Sequence, residues 1–198
     1  KMFDLDIDGL KDEMVCSLED DSAATAEITY GLSENGAQLW NFTAGGNGVK
    51  IEAADVNNDG YYEVITETSD TNTIIFALNR TGGHIWNFSG PANHKLGGLS
   101  VGDIDNDGYV NDVIFQTYDS TATNAGFLYV LNKNGAHLWN ISFADEGALD
   151  AASTPFIYAV DADNDGYKDD IITKSKKKFF AVYGNGTEIF NYTLSSTI

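Results

Sequence analysis

Short apolar runs divide this chain, and they come in a fixed order. Each repeat has a run ending at an acidic loop: Lys1-Met2-Phe3, Val49–Ala54, Leu99–Gly102 and Phe156–Val160. A second run leaves the loop, centred on Val64-Ile65-Thr66, Val113-Ile114-Phe115 and Ile171-Ile172-Thr173. A third follows as Ala26–Leu32, Thr73–Leu78, Gly126–Leu131 and Lys178–Tyr183. Runs of this length, rich in β-branched and aromatic residues and bounded by turn residues, predict strands. The turns are Glu34-Asn35-Gly36, Arg80-Thr81-Gly82, Lys133-Asn134-Gly135 and Gly184-Asn185-Gly186, which signal hairpins. A fourth run closes each unit: Leu39-Trp40-Asn41-Phe42, Ile85-Trp86-Asn87-Phe88, Leu138-Trp139-Asn140-Ile141 and Ile189-Phe190-Asn191-Tyr192. No stretch keeps a helical period.

The loops share a second pattern. They read Asp4-Leu5-Asp6-Ile7-Asp8-Gly9-Leu10, Asp55-Val56-Asn57-Asn58-Asp59-Gly60-Tyr61, Asp103-Ile104-Asp105-Asn106-Asp107-Gly108-Tyr109 and Asp161-Ala162-Asp163-Asn164-Asp165-Gly166-Tyr167. Their first residues are 51, 48 and 58 positions apart. A period near fifty residues signals a propeller or solenoid. The chain therefore predicts an all-β fold, a single-domain β-propeller of four blades of four strands each. The blades fall near 1–47, 48–95, 96–153 and 154–198. The short opening strand of the first blade leaves three outcomes. Leu194–Ile198 completes that blade within the chain and closes the ring, or is exchanged with a neighbouring molecule, or the chain belongs to a propeller with more blades.

Acidic residues at positions 1, 3 and 5 repel one another unless a hard cation lies between them. Calcium takes six to eight oxygen ligands, and a glycine at position 6 turns the chain so that the carbonyl of position 7 faces inward. The candidate ligands are Asp4, Asp6, Asp8 and Leu10; Asp55, Asn57, Asp59 and Tyr61; Asp103, Asp105, Asp107 and Tyr109; and Asp161, Asp163, Asp165 and Tyr167. An EF-hand needs a glutamate at position 12, where Val15, Thr66, Ile114 and Ile172 stand instead. The closing ligand must come earlier. It is Glu63 in the second loop, and Asp12 or Glu13, Asn111 or Asp112, and Asp169 or Asp170 in the others, with position 9 (Asp12, Asn111, Asp169) preferred. About four calcium ions are expected.

This repeat resembles the FG-GAP/VCBS calcium-binding family, which builds integrin α-subunit propellers and many bacterial and archaeal surface proteins. The resemblance spans the whole chain through its four loops. It implies calcium in the hairpin between the first and second strands of each blade. The turn followed by Leu-Trp-Asn-Phe is also similar to the blade ending of quinoprotein-like propellers, which bears on architecture alone. The first repeat departs from the pattern, with Ile7 and Leu10 in place of the usual Asn and Tyr.

The charge fits this picture. Thirty acidic residues against eleven Lys and Arg give a formal charge of −19, which disfavours nucleic acid and anionic membrane as partners. No apolar run is long enough to span a bilayer as a helix, and the one cysteine, Cys16, allows no internal disulfide; it reads as a small buried strand residue. The start at Lys1 reads as a mature, trimmed or fragmentary chain.

Asn41, Asn87, Asn140 and Asn191 each head an N-x-Ser/Thr sequon at one repeat position, and Asn79 and Asn185 head two more at the turns. N-glycosylation would need a secreted chain and an exposed outer strand. Trp40, Trp86, Trp139 and Phe190 are expected between blades. His84 and His137 occupy one polar repeat position, and His94 lies in a predicted connecting loop without an evident partner. Lys174 and Lys176–Lys178 read as a solvated strand edge. No nucleophile elbow, phosphate loop or zinc spacing occurs. These features predict an extracellular or cell-surface calcium-binding protein with a structural or adhesive role and no enzymatic activity. Its partner would be a second copy of itself, joined by terminal strands into a filament or surface layer, or an extracellular protein or glycan. The alternative is a glycan-binding module or polysaccharide-degrading enzyme on the same scaffold, whose non-repeated residues would sit in the inserts 118–125 and 144–154.

Overall fold

The computed structural model describes residues 1–20, 26–46, 50–69, 72–119, 121, 126–143, 156–175 and 178–193. It is all-β among those residues, with sixteen strands in four antiparallel sheets of four. Sheet 1 holds β1 (Met2–Phe3), β2 (Glu13–Asp20), β3 (Ala26–Leu32) and β4 (Gln38–Thr43). Sheet 2 holds β5 (Ile51–Ala54), β6 (Glu63–Ser69), β7 (Asn72–Leu78) and β8 (His84–Ala92). Sheet 3 holds β9 (His94–Gly102), β10 (Asp112–Asp119), β11 (Gly126–Leu131) and β12 (His137–Ser142). Sheet 4 holds β13 (Ile157–Val160), β14 (Asp170–Lys174), β15 (Lys178–Val182) and β16 (Glu188–Thr193). Each sheet is an up-and-down meander in chain order, so each acidic loop connects the first strand to the second and each Gly turn connects the third to the fourth.

The register is the same in every sheet. Met14 faces Leu32, Val64 faces Leu78, Val113 faces Leu131 and Ile171 faces Val182 across the middle strands. A bulge follows the same residue pair in the third and fourth strands of all four sheets, at Gly31/Leu32, Ala77/Leu78, Val130/Leu131 and Ala181/Val182. Side chains alternate between the two faces of a strand, so each middle strand offers apolar residues to both neighbouring sheets. The core forms in three layers. Phe3, Val15, Val64 and Leu78 join sheets 1 and 2; Ile65, Ile75, Val113 and Phe115 join sheets 2 and 3; Ile114, Leu128, Ile171 and Phe180 join sheets 3 and 4. Among the described residues no such layer joins sheet 4 to sheet 1.

The tryptophans tie one sheet to the next. Trp40 Nε1 donates to the Arg80 carbonyl (2.8 Å), Trp86 Nε1 to Lys133 (2.8 Å) and Trp139 Nε1 to Gly184 (2.6 Å). Each acceptor lies in the Gly turn of the following sheet. The indole covers that turn so closely that a Cβ on Gly82, Gly135 or Gly186 would lie 2.6–3.0 Å from it. Phe190 departs from the expected packing between blades. It is exposed, and among the described residues no further sheet receives it.

Three smaller expectations change. His94 is not in a loop: β8 runs on to Ala92, Asn93 turns the chain at φ 63°, and His94 opens β9. It is buried, with Nδ1 3.2 Å from Thr117 Oγ1. Cys16 is on a strand as expected but only half-buried; among the described residues no sheet covers that side of sheet 1. The first blade's opening strand is shorter still than predicted, at two residues. Leu194–Ile198, Lys176 and Lys177, most of the insert 118–125 and all of 144–154 lie outside the described residues.

Candidate metal centres

Each acidic loop folds around its own first aspartate. The glycine at position 6 donates its amide to one oxygen of that residue: Gly9 to Asp4 (3.1 Å), Gly60 to Asp55 (2.9 Å), Gly108 to Asp103 (3.0 Å) and Gly166 to Asp161 (3.1 Å). The amide of position 5 reaches the other oxygen in the last three loops, from Asp59, Asp107 and Asp165 at 2.9–3.0 Å. The same amide bonds the third residue in every loop, through Asn57 in the second and an aspartate elsewhere, at 2.9–3.2 Å. The fifth carboxylate accepts from the amide of Leu10, Tyr61, Tyr109 or Tyr167.

Two backbone positions make this turn possible. Position 6 has φ of 90–100° and is always glycine. Position 4 is also left-handed, at Ile7 (69°), Asn58 (58°), Asn106 (57°) and Asn164 (63°). Asparagine tolerates that region; a β-branched residue does so only under strain. The asparagine that recurs at this position is the mark of that backbone in the sequence.

The residue that closes each loop is the first of the second strand. Glu13 accepts from the Leu5 amide (2.8 Å) and Glu63 from Val56 (3.1 Å). Asp112 accepts from Ile104 and Asp105 (2.8 and 2.9 Å), and Asp170 from Ala162 and Asp163 (2.9 and 3.1 Å). All four are buried. Position 9 keeps oxygens of its own beside the loop: Asp12 Oδ1 and Asn111 Oδ1 stay without a hydrogen bond while the Asn111 amide nitrogen donates to the Asp107 carboxylate (3.2 and 3.3 Å), and Asp169 borders the groove between the third and fourth loops. The position-10 residue starts the ladder and so lies beneath the loop, whereas its predecessor lies outside the pairing. The second loop is one residue shorter there, which puts Glu63 in the same place.

The arrangement gathers carboxylates at contact range. Oxygens of Asp4, Asp6 and Asp8 lie within 4.8 Å of one another, as do those of Asp103, Asp105 and Asp107, and of Asp161, Asp163 and Asp170. The second loop forms no such all-acid cluster, because Asn57 stands at its third position; its Nδ2 donates to Glu63 (3.0 Å) and Asp59 (3.1 Å). The electrostatic cost is visible. Burial pushes the Glu63 carboxyl up to about 7, with the charges of Asp59 and Asp55 adding to it. Burial likewise raises Asp112 to about 6, and raises Asp103, Asp169 and Asp170. At Glu13 the Leu5 amide pulls the other way but is outweighed by burial and the neighbouring Asp12 and Asp6.

These residues fit a hard cation. The donors are oxygens, they converge, and three are orphaned: Asp12 Oδ1, Asn111 Oδ1 and Asp112 Oδ1 are buried and accept no hydrogen bond. The turns add charge unequally. Lys133 lies 3.3 Å from Asp107, and Arg80 lines a shallow pocket with Asn57 and Glu63. At the equivalent turn position the first sheet has Glu34 and the fourth Gly184.

The predicted glycosylation sites lie away from the loops. Asn41, Asn87, Asn140 and Asn191 are exposed on the edge strands β4, β8, β12 and β16, as are Thr43, Ser89, Ser142 and Thr193. Asn79 instead builds its turn, accepting from the amides of Thr81 and Gly83, and Asn185 accepts from that of Thr187.

No family model and no curated protein matches the sequence. Solved structures do. The chain is similar to a rhamnogalacturonan lyase (PL11) of Bacillus licheniformis, at 16% identity and a TM-score of 0.66, over 96% of this chain and 41% of that one. It is also similar to BBS1N, solved in complex with ARL6DN, at 13% identity and a TM-score of 0.57, over 93% of this chain and 56% of that one. A third likeness is to a protein of unknown function from Bacteroides caccae, at 13% identity and a TM-score of 0.49, over 92% of this chain and 59% of that one. The chain thus spans about two fifths to three fifths of the proteins it matches. At these identities the likeness concerns the fold alone.

Proposed function

We propose that the protein is a calcium-stabilised β-propeller module of four blades, with a structural or adhesive role outside the cell. The reading rests on one observation: three loops bring three carboxylates within 4.8 Å of one another, the second keeps the same turn with Asn57 at its third position, and a buried acid closes each loop from below. Asp4, Asp6, Asp8 and Glu13 would hold the first ion, and Asp55, Asn57, Asp59 and Glu63 the second. Asp103, Asp105, Asp107 and Asp112 would hold the third, and Asp161, Asp163, Asp165 and Asp170 the fourth. The carbonyls of Leu10, Tyr61, Tyr109 and Tyr167 complete these sets. The cation cancels carboxylate repulsion and lends its binding energy to folding. N-glycans on the four exposed edge-strand sequons and export from the cell belong to the same proposal. So does self-association; the terminal segment 194–198 invoked for strand exchange lies outside the described residues.

The test is calcium titration by calorimetry with melting curves in calcium, magnesium and chelator. The expected result is several binding events and a melting temperature at least 10 °C higher in calcium than in chelator. Asp161→Ala should remove one event. No heat of binding, with identical melting in calcium and chelator, would overturn the metal reading. Intact mass of the native protein checks the glycans.

A further inference from the structure

We propose that Asn57 closes the second loop from within. Its amide nitrogen stands in for a cation between Asp59 and Glu63, so this loop keeps its shape in chelator and is the last of the four to take calcium. The inference rests on the metal reading and ranks the loops within it.

Asn57 and its counterparts share one bond. Asn57 Oδ1 accepts from the Asp59 amide (2.9 Å), just as Oδ1 of Asp6, Asp105 and Asp163 accepts from the amides of Asp8, Asp107 and Asp165 (3.1, 3.2 and 3.1 Å). That bond fixes which way each side chain lies. The remaining atom is a carboxylate oxygen in the first, third and fourth loops and Nδ2 in the second. In those three loops the side chain belongs to a group of three acids with oxygens within 4.8 Å of one another. Among the described residues no such group forms in the second loop. There Nδ2 donates to Glu63 Oε1 (3.0 Å) and Asp59 Oδ2 (3.1 Å), holding together two acids that would otherwise repel.

An ion would have to undo this arrangement. Turning the amide over to offer Oδ1 sets Nδ2 against the Asp59 N–H, donor to donor, and gives up all three bonds. The second loop is also poorer in charge. It offers Asp55, Asp59 and Glu63, where the third offers Asp103, Asp105, Asp107 and Asp112. Calcium affinity follows the number of charged ligands. The turn cations do not separate these two loops, because Arg80 lines a pocket with Asn57 and Glu63 as Lys133 flanks Asp107. The amide and the missing carboxylate do. The self-closed loop belongs to sheet 2, which is covered on both faces, so the centre of the fold is the part that depends least on metal.

Hydrogen exchange read by mass spectrometry, on the full chain in chelator and at rising calcium, tests this loop by loop. Segment 55–63 should be the best protected of the four loops in chelator. Segments 103–112 and 161–170 should gain protection at roughly ten-fold lower calcium than 55–63, the scale of one charged ligand. Asn57→Asp should bring 55–63 into line with the others in calcium, and in chelator should lower the melting temperature by roughly 3 °C as a carboxylate replaces the donor. Asn57→Ala, which removes the donor without adding a charge, should cost 55–63 its protection in chelator and leave calcium no tighter. Protection of 55–63 rising at the same calcium concentration as 103–112 and 161–170, or unchanged melting of Asn57→Asp in chelator, would overturn the proposal and leave the metal reading standing. Exchange that responds to calcium in no loop would overturn the metal reading and the ranking with it.

Discussion

At Ile7 a β-branched side chain holds a left-handed backbone that asparagine holds in the other three loops. Strain of this kind costs on the order of 1 kcal/mol. Ile7→Asn should therefore stabilise the protein by about that much, read as a higher denaturant midpoint. Glu63 makes a second residue-scale case. Its folded carboxyl titrates near 7 and the unfolded one in the ordinary range near 4.5, so the folded state holds the extra proton between those values. In chelator, the Glu63 contribution is present below about 4.5 and lost as pH rises through about 7. Glu63→Gln should thus be more stable than the parent in chelator at pH 8 and less stable in calcium. Melting curves of both proteins in both buffers decide it.

The loops and turns act as elements. The four acidic loops share one hydrogen-bond plan but differ in what the adjacent Gly turn brings. Lys133 partly neutralises the third loop, while Gly184 leaves the fourth without a cation from that turn. Lys133→Met should raise the third loop's calcium affinity by up to about five-fold, the scale of one exposed charge pair, measured by calorimetry. Between sheets, Trp86→Phe would keep the ring over Gly135 but leave the Lys133 carbonyl without its donor. A loss of about 1 kcal/mol in unfolding free energy is expected. Most of this was legible in the sequence. Period-two runs, Asx-Gly turns and the acidic spacing are local signals, and local chemistry fixes them. The closing acid was not legible, because Asp169 and Asp170 are adjacent and both acidic. Strand pairing decides which of two neighbours lies beneath the loop, and a one-step offset changes its whole surroundings.

At the scale of the molecule, the four sheets are alike inside and unlike at the ends. Sheets 2 and 3 are covered on both faces; sheets 1 and 4 each keep one apolar face open among the described residues. The repeat by itself determined the all-β class, the four units of four strands, the antiparallel order and the loops in which acids gather. Each of these follows from a pattern shorter than one repeat. Only the tertiary structure decided which carboxylates meet, which tryptophan covers which turn and which faces stay open among the described residues. Those outcomes depend on stacking between units some fifty residues apart. Trp40, Trp86, Trp139 and Phe190 read as one repeated feature in sequence, and they part company only in the fold, where the three indoles each cover a turn and Phe190 is exposed.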